Sequence, residues 1–150
     1  MSFMLTTGLL TMDAERAFAR ALRARRRAAI GRRLRGERGS CGLAVYDERA
    51  VAHAGARRHR DRGEIPLCEI RGTTEPGRAK AFDGAFRPAR GAARRWQRVW
   101  LAEHRGTVLP PISVVPVEDG YAIRDGHHRV SVALARGALT IDARVDAVPA

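Results

Sequence analysis

The sequence predicts an α+β fold, with a small mixed β-sheet and packed helices, preceded by a basic helical arm. Within residues 63–150, the periodic segments follow the order strand, helix, hairpin, helix and strand, which is typical of this class. The positive charge lies mainly before them: residues 1–62 hold 15 arginines and six acidic residues, a net +9 of the chain's +12. These observations divide the 150 residues into an arm, residues 1–62, and a folded domain, residues 63–150.

The composition excludes several classes of protein. Hydrophobic residues make up 45% of the chain, which is enough for a core and argues against wholesale disorder. No apolar run approaches the roughly 20 residues of a membrane span, and the run at 8–10 is too short for a signal peptide. We therefore expect a cytoplasmic protein without membrane contact. Cys41 and Cys68 are too few for a disulfide scaffold or a four-cysteine zinc site, and the sequence assigns no metal site.

The arm begins with a helix at about residues 13–35. Asp13 places negative charge in its first turn, Phe18 and Leu22 lie on one face, and Gly36 ends it. Two interpretations stay open. Either the apolar face packs on the body of the protein, or the helix lies on nucleic acid, where arginines neutralise phosphate charges.

The rest of the arm, residues 36–62, is irregular and is expected to form a partly ordered linker. It contains a second basic cluster close to the start of the domain. The arginines assigned to nucleic acid are Arg25, Arg26, Arg27, Arg32 and Arg33 in the helix, and Arg57, Arg58 and Arg60 in the linker.

The domain opens with a short strand and a loop. Alternation of apolar side chains predicts the strand over residues 65–70, in which Cys68 is interpreted as a small buried side chain. Residues 72–78 are rich in glycine, threonine and proline and predict a loop.

Aromatic residues mark the next segment. Phe82 and Phe86 follow each other at helical spacing, and a second helix is predicted over residues 92–104. In that helix Trp96 and Trp100 face inward and are interpreted as core residues.

A hairpin and a closing strand complete the predicted sheet. Residues 112–117 form its first strand, which Pro116 places partly at a sheet edge. The dipeptide at 119–120, Asp-Gly, suits a two-residue primed turn, and residues 121–124 form the return strand. Residues 140–145 are the closing strand.

Chemistry-bearing residues cluster where the hairpin leads into a helix. Gly126 allows a sharp turn, the free N–H groups of a helix start attract an anion, and Arg129 adds a bidentate phosphate donor. His127 and His128 are able to donate hydrogen bonds or move protons near neutral pH. The candidate phosphate-binding residues are Gly126, His127, His128, Arg129 and Ser131. The alternative is a plain helix cap, in which Asp125 accepts N–H groups and pairs with Arg129.

These segments, taken in order, resemble the N-terminal domain of ParB partition proteins and the wider ParB/sulfiredoxin superfamily. The resemblance covers about residues 63–148 and is strongest over 108–145. It is carried by segments 67–70, 109–112, 119–121, 125–133, Gly137 and 141–143. The resemblance implies that the box at 125–129 binds the phosphates of a nucleoside triphosphate, CTP or ATP.

The match is incomplete at two positions of the box. Gly126 and Arg129 match both ends of the superfamily's phosphate box. His128 matches the sulfiredoxin histidine but replaces the first arginine of the ParB box. His127 stands where sulfiredoxin has its catalytic thiol and ParB its glutamate. The resemblance therefore implies phosphate contact, but neither sulfinic-acid reduction nor ParB-type hydrolysis. Because the sequence ends at Ala150, we also expect no helix-turn-helix reader, so that any nucleic acid is bound through the arm without base readout.

Three functions stay open at this point. The first is a stand-alone nucleotide- or phosphate-binding domain whose basic arm associates with nucleic acid. The second is a small enzyme, a phosphotransferase or ParB-like nuclease, with His127, His128 and Asp125 as catalytic candidates and Glu69 and Glu75 as further carboxylates. The third is an accessory protein that binds an acidic partner.

Overall fold

The computed structural model describes residues 2–39, 42–48 and 62–146, with side chains from residue 8 onward. The described helices are α1 (Ser2–Leu34), α2 (Ala93–His104) and α3 (His127–Ala135). The described strands are β1 (Ala44–Val45), β2 (Arg62–Pro66), β3 (Ile70–Thr73), β4 (Ile112–Val117), β5 (Gly120–Asp125) and β6 (Thr140–Val145). Single turns of 3-10 helix lie at Leu67–Glu69, Pro76–Arg78 and Arg90–Ala92.

The six described strands form one mixed sheet in the order β1-β3-β5-β4-β6-β2. Strands β1, β3 and β5 run parallel to one another, whereas β4 is antiparallel to β5 and parallel to β6. Strand β2 closes the far edge, antiparallel to β6. The α+β fold with a mixed sheet and packed helices is therefore confirmed, as are the hairpin and the closing strand.

Strand β4 lies in the centre of this sheet, so its predicted position at a sheet edge is wrong. All six of its residues are buried; Val114 belongs to the main core and Val115 to a smaller cluster. Pro116 is tolerated because β4 pairs with β6 only over Ile112–Val114. The proline thus lies beyond that pairing, where only β5 is a paired neighbour.

The single strand predicted over residues 65–70 is two strands joined by a turn. Strand β2 ends at Pro66 on the β6 edge, and β3 begins at Ile70 on the other half of the sheet. Because Cys68 lies in the turn between them, it is exposed, and the prediction that it is buried is wrong.

The aromatic segment at Phe82 and Phe86 forms a tight turn instead of a helix. The buried carboxylate of Asp83 accepts the backbone N–H groups of Ala85 and Arg87, at 3.0 and 2.8 Å. Phe86 has a φ of 60°, in the left-handed region, and its ring is buried in the main core. A buried side-chain acceptor thus replaces the helical hydrogen bonds that the spacing suggested.

The hairpin between β4 and β5 differs from the predicted turn by one residue. Val117 pairs with Gly120, so the loop residues are Glu118 and Asp119, and Gly120 is the first residue of β5. Its φ is 155°, and a Cβ there would lie 2.1 Å from the carbonyl oxygen of Glu69. Glycine is needed because the turn before β3 passes close by, and a primed Asp-Gly turn is not formed.

Helix α1 begins at Ser2, about ten residues before the predicted start near Asp13. The added turns contain Leu9 and Leu10, which favour helix, so no cap at Asp13 is required. Its middle packs on the body: Ala14 is fully buried, and the Phe18 ring meets Trp96 edge-to-face at 5.5 Å. The interpretation that the apolar face of this helix packs on the body of the protein is confirmed. The domain boundary near residue 62 stays a prediction.

Helix α2 matches its prediction closely. Trp96 is fully buried and Trp100 nearly so, in a cluster that also contains Phe18 of α1 and Val132 of α3. The three helices therefore pack against one another through a second apolar core. Within the described residues, no helix has both the length and the apolar character to cross a bilayer.

Candidate phosphate-binding site

The site lies where α3 begins, directly after β5. Because β3 and β5 are parallel, their carboxyl ends meet at one edge, which places Thr73 beside the start of α3. Gly126 connects β5 to α3 with a φ of 107°, and a Cβ there would lie 2.5 Å from Cγ2 of the buried Ile112. A side chain would therefore be obstructed at this position, which explains the glycine at the sharp turn.

The first turn of α3 has no side-chain cap. The first backbone bond of the helix runs from the Val130 N–H to the Gly126 carbonyl, at 3.1 Å. Asp125 is exposed, and its carboxylate accepts the N–H of Gly126 at 3.0 Å, which lies before the helix proper. The N–H groups of residues 127–129 therefore remain at the positive end of the helix dipole, where an anion is stabilised.

His127 is buried at the junction of α3 with β3. Its Nε2 lies 2.6 Å from Oγ1 of Thr73, and its ring stacks on Phe82 with the centroids 6.3 Å apart. Burial, reinforced by the charge of Arg78, lowers the pKa of His127 from 6.5 to about 4. At neutral pH this imidazole is uncharged and forms a hydrogen bond that holds the helix start against the sheet.

His128 is partly buried and also contacts Phe82. Its ring meets Phe82 edge-on at 5.2 Å, and burial together with the charges of Arg78 and Arg95 lowers its pKa to about 4. Both histidines are thus neutral near pH 7 and are weak bases there. This arrangement disfavours the assignment of His127 and His128 as general bases, although both remain hydrogen-bonding groups.

The guanidinium of Arg129 is held by a backbone carbonyl and not by a carboxylate. One of its terminal N–H groups donates to the carbonyl of Pro110, and its Nε is buried without a partner among the described residues. The described residues contain no ion pair between Arg129 and Asp125. The cap-and-ion-pair alternative is therefore not what the structure contains. Arg129 also lines a small cavity of about 260 Å³ formed with residues 106–109.

Ser131, predicted to add a hydroxyl to the site, lies elsewhere. Its Oγ accepts the indole N–H of Trp96 at 2.9 Å, and the residue is 2% exposed. It is one turn beyond His127 and faces α2. Its hydroxyl oxygen satisfies the buried tryptophan and is not among the groups at the helix start.

Four residues of the site were not predicted from the sequence: Thr73, Arg78, Phe82 and Arg95. Arg78 and Arg95 are exposed and belong to the turn at Pro76–Arg78 and to the first turn of α2. Neither forms an ion pair among the described residues. The sequence contained one usable signal, the two threonines that follow Gly72 at the predicted end of a strand, but the two arginines come close only through the tertiary fold.

Of the carboxylates considered for a nuclease, Glu75 follows Thr73 at this site, where its backbone N–H donates to the threonine hydroxyl at 2.9 Å, but Glu69 lies far from Asp125. Glu69 lies in the turn next to Gly120, at the start of β5, whereas Asp125 lies at its end. Strand β5 is six residues long, so Glu69 and Asp125 lie at opposite ends of this strand. The described part of the chain contains no group of three or more histidine, cysteine, aspartate or glutamate side chains able to hold a metal.

The arginines assigned to nucleic acid have different environments. Arg26, Arg27 and Arg33 are exposed, and Arg32 is partly buried. Arg25 is anchored to the body, because its Nη1 donates to the carbonyl of Arg87 at 3.3 Å. The linker residues assigned to the same role, Arg57, Arg58 and Arg60, lie outside the described residues, as does Cys41.

Comparisons with known proteins give one structural likeness. No protein-family model matches the sequence, and no curated protein matches it. The crystal structure of sulfiredoxin from Arabidopsis thaliana is similar to this chain, with 22% sequence identity and a TM-score of 0.42. The similar region covers 57% of this chain and 83% of that chain.

Proposed function

We propose that this protein binds a phosphorylated small molecule, most simply a nucleotide, at the start of α3. One observation carries the proposal: an uncapped helix start has Arg78 and Arg95 beside its histidines and Arg129 in its first turn, and none of the three forms an ion pair among the described residues. Without an anion, the positive charges at this helix start repel one another and its N–H donors lack protein partners among the described residues. A bound phosphate would relieve both, since backbone N–H groups and guanidinium groups donate to phosphate oxygens.

The neutral histidines fit this role better than a catalytic one. A cationic His128 beside Arg78 and Arg95 would add repulsion, whereas a neutral ring donates one hydrogen bond without it. His127 is already engaged with Thr73 and positions the helix start. We therefore assign His128 to the ligand and His127 to the scaffold, and we propose no group-transfer or hydrolytic step.

A thermal-shift titration of the whole chain tests the proposal. CTP, ATP and inorganic pyrophosphate are added separately, with cytidine and adenosine as controls that lack phosphate. A ligand at about 100 times its Kd stabilises the native state by about 2.7 kcal/mol, which is a measurable rise in Tm. The phosphorylated compounds should raise the Tm and the nucleosides should not. Equal shifts for nucleosides and nucleotides, or no shift at all, would contradict it.

A second candidate function, association with nucleic acid, is favoured by the outer face of α1. Arg16, Arg20, Arg23 and Arg27 recur at intervals of three or four residues and are all exposed. Four residues at this spacing form one ridge along a helix, about 16 Å long at a rise of about 1.5 Å per residue. Arg16 pairs with Asp13 at 3.6 Å, and the other three have no ion-pair partner among the described residues.

This association is tested by its salt dependence. On duplex DNA, log affinity falls with log salt concentration by about 0.9 for each phosphate neutralised. Replacement of Arg20, Arg23 and Arg27 together by glutamine should flatten the slope by about two to three units. Deletion of residues 1–62 is not a clean test, because Ala14 and Phe18 belong to the core. An unchanged slope in the triple variant would remove α1 from the interface.

A further inference from the structure

A groove of about 720 Å³ runs between α1, the turn at 85–88 and the last turns of α2 and α3. It is separate from the start of α3, because its α3 lining comes from residues 131–136. Its volume lies within the roughly 300–1,000 Å³ typical of ligand pockets. On the α1 side its wall is made by Ala17, Ala21 and Ala24, whose small side chains leave the space open.

The rim of the groove is strongly basic. Arg20, Arg27, Arg87 and Arg136 line it together with His104, and no described acidic residue does. Arg87 is paired with Asp83 and Arg136 with Glu103, both of which lie outside the lining. Arg20 and Arg27 have no ion-pair partner among the described residues, and both also belong to the exposed ridge of α1. The ridge and the groove therefore form one continuous cationic surface.

The floor of the groove is apolar and aromatic. Phe86, Pro88, Trp100 and Leu134 form it; the first three are buried, and Leu134, which is 37% exposed, is its accessible part. Trp100 stacks on His104 with the ring centroids 3.7 Å apart, which leaves the exposed imidazole at the edge of the floor. A purely electrostatic contact with phosphates would not require such a floor.

The turn that supplies part of this floor has a strained backbone, which buried hydrogen bonds hold in place. Phe86 has a φ of 60°, which is unfavourable for a bulky side chain. Asp83, fully buried, holds the turn through two backbone N–H groups and the guanidinium of Arg87. Strain of this kind is often retained where a backbone segment serves a binding site.

We propose that this groove binds a single strand of nucleic acid, with bases against its apolar floor and phosphates on Arg20 and Arg27. The inference rests on the second proposed function, association with nucleic acid, and adds the form of the ligand. A duplex keeps its bases stacked inside and presents only its backbone, whereas a single strand offers both base faces and phosphates to a groove. An apolar floor inside a cationic rim matches the second arrangement.

The test compares single-stranded and hairpin-duplex oligonucleotides with equal numbers of phosphates, using fluorescence anisotropy on the whole chain. The key variant is Ala24→Phe, which fills the groove without any change of charge. Ala19→Phe, on α1 but outside the groove, is the matched control. We expect Ala24→Phe to weaken single-strand binding about fivefold or more, since a stacked base contributes at least that factor. Its duplex affinity and its salt slope should stay close to those of the wild type.

Two variants that each remove one arginine charge test the role of the rim. Arg27→Gln should lower the single-strand salt slope by about 0.7, because one phosphate contact is lost. Arg98→Gln removes an exposed charge of α2 that does not line the groove, and should have the smaller effect. Circular dichroism melting verifies that each variant is folded. If Ala24→Phe does not fold, Leu134→Gln tests the floor instead, with the same expected loss.

The outcomes separate the two proposals. Absence of binding to either oligonucleotide would overturn the association itself, and the groove inference with it. If Ala24→Phe is folded and binds the single strand as tightly as the wild type does, the groove inference alone is overturned. An acidic peptide that displaces the single strand as well as a competing strand of equal charge would also overturn it, since the bases would then contribute nothing.

Discussion

The imidazole Nε2 of His127 lies 2.6 Å from the hydroxyl oxygen of Thr73. The two residues are 54 positions apart in the sequence and join the first residue of α3 to the last residue of β3. The same hydroxyl accepts the N–H of Glu75 at 2.9 Å. This buried contact fixes the helix start against the sheet edge and brings Arg78 close to it.

The stability of the protein should decrease as the pH falls from about 6.5 to 4. The pKa of His127 is about 4 in the native state and near 6.5 in the unfolded chain, so below pH 6.5 the unfolded chain binds a proton that the native state does not. Linkage then favours unfolding, by about 1–2 kcal/mol at pH 5 from this group. Urea denaturation at pH 7 and pH 5 measures the difference. His127→Gln should show a smaller pH dependence; an NMR titration with a pKa near 6.5 for His127 would contradict the assignment.

Gly126→Ala should destabilise the fold and weaken phosphate binding. The new Cβ would lie 2.5 Å from Ile112 and at a φ of 107°, so the core must shift. Overpacking of this kind costs about 1–3 kcal/mol, and the strained φ adds to it. Gly77→Ala is the matched control, because nothing lies within 4 Å of its Cβ position. Chemical denaturation of both variants decides the matter, and equal stabilities would refute this account of Gly126.

Phe18→Ala should destabilise the whole domain. Phe18 is 6% exposed and meets Trp96 edge-to-face, and truncation of a buried phenylalanine typically costs about 3–5 kcal/mol. Met12→Ala, on the same helix but 48% exposed, should cost much less. Hydrogen exchange of the α2 amides then shows whether α1 and the body unfold together. If Phe18→Ala melts α1 and leaves α2 protected, the helix is an independent arm.

Loss of a single guanidinium near the start of α3 should weaken nucleotide binding. A charge-assisted hydrogen bond contributes about 1.5–3 kcal/mol, so Arg129→Ala should raise the Kd about tenfold or more. Arg129→Lys should recover only part, because an ammonium lacks the fork. Arg95→Gln should also weaken binding, whereas Arg94→Gln, its exposed neighbour on α2, should not. Isothermal titration of the four variants provides the comparison. Equal losses for Arg94→Gln and Arg95→Gln would indicate a general charge effect.

Elements that local periodicity defines could be predicted from the sequence. The tryptophans of α2, the apolar, β-rich segments of the hairpin and the glycine at 126 each have a local signature, and the structure contains all of them. The errors arose where a tertiary contact decided the local structure. The buried carboxylate of Asp83 made a turn out of helical spacing, and Pro116 lies in a central strand because β6 pairs with only half of it.

Only the part of the candidate site that lies in one contiguous segment of the sequence could be predicted. Residues 125–129 signal a turn before a helix, and the structure places Gly126 there as expected. Arg78 and Arg95 come from two other elements and meet the helix start only through the packing of α2 and β3, which no spacing in the sequence reveals. Ser131 is the opposite case. Its position in the sequence suggested that it belongs to the site, but its oxygen accepts the buried indole N–H of Trp96 instead.

The most direct measurement of the central claim is an amide-resolved NMR titration of the wild-type chain with a nucleoside triphosphate and, separately, its nucleoside. A phosphate at the start of α3 accepts hydrogen bonds from the N–H groups of residues 127–129, which move these amide resonances more than others. We expect saturable shifts, largest at residues 127–129, that appear with the triphosphate and are absent with the nucleoside. Saturable binding whose largest shifts lie elsewhere, or no change at these amides at millimolar triphosphate, would contradict it.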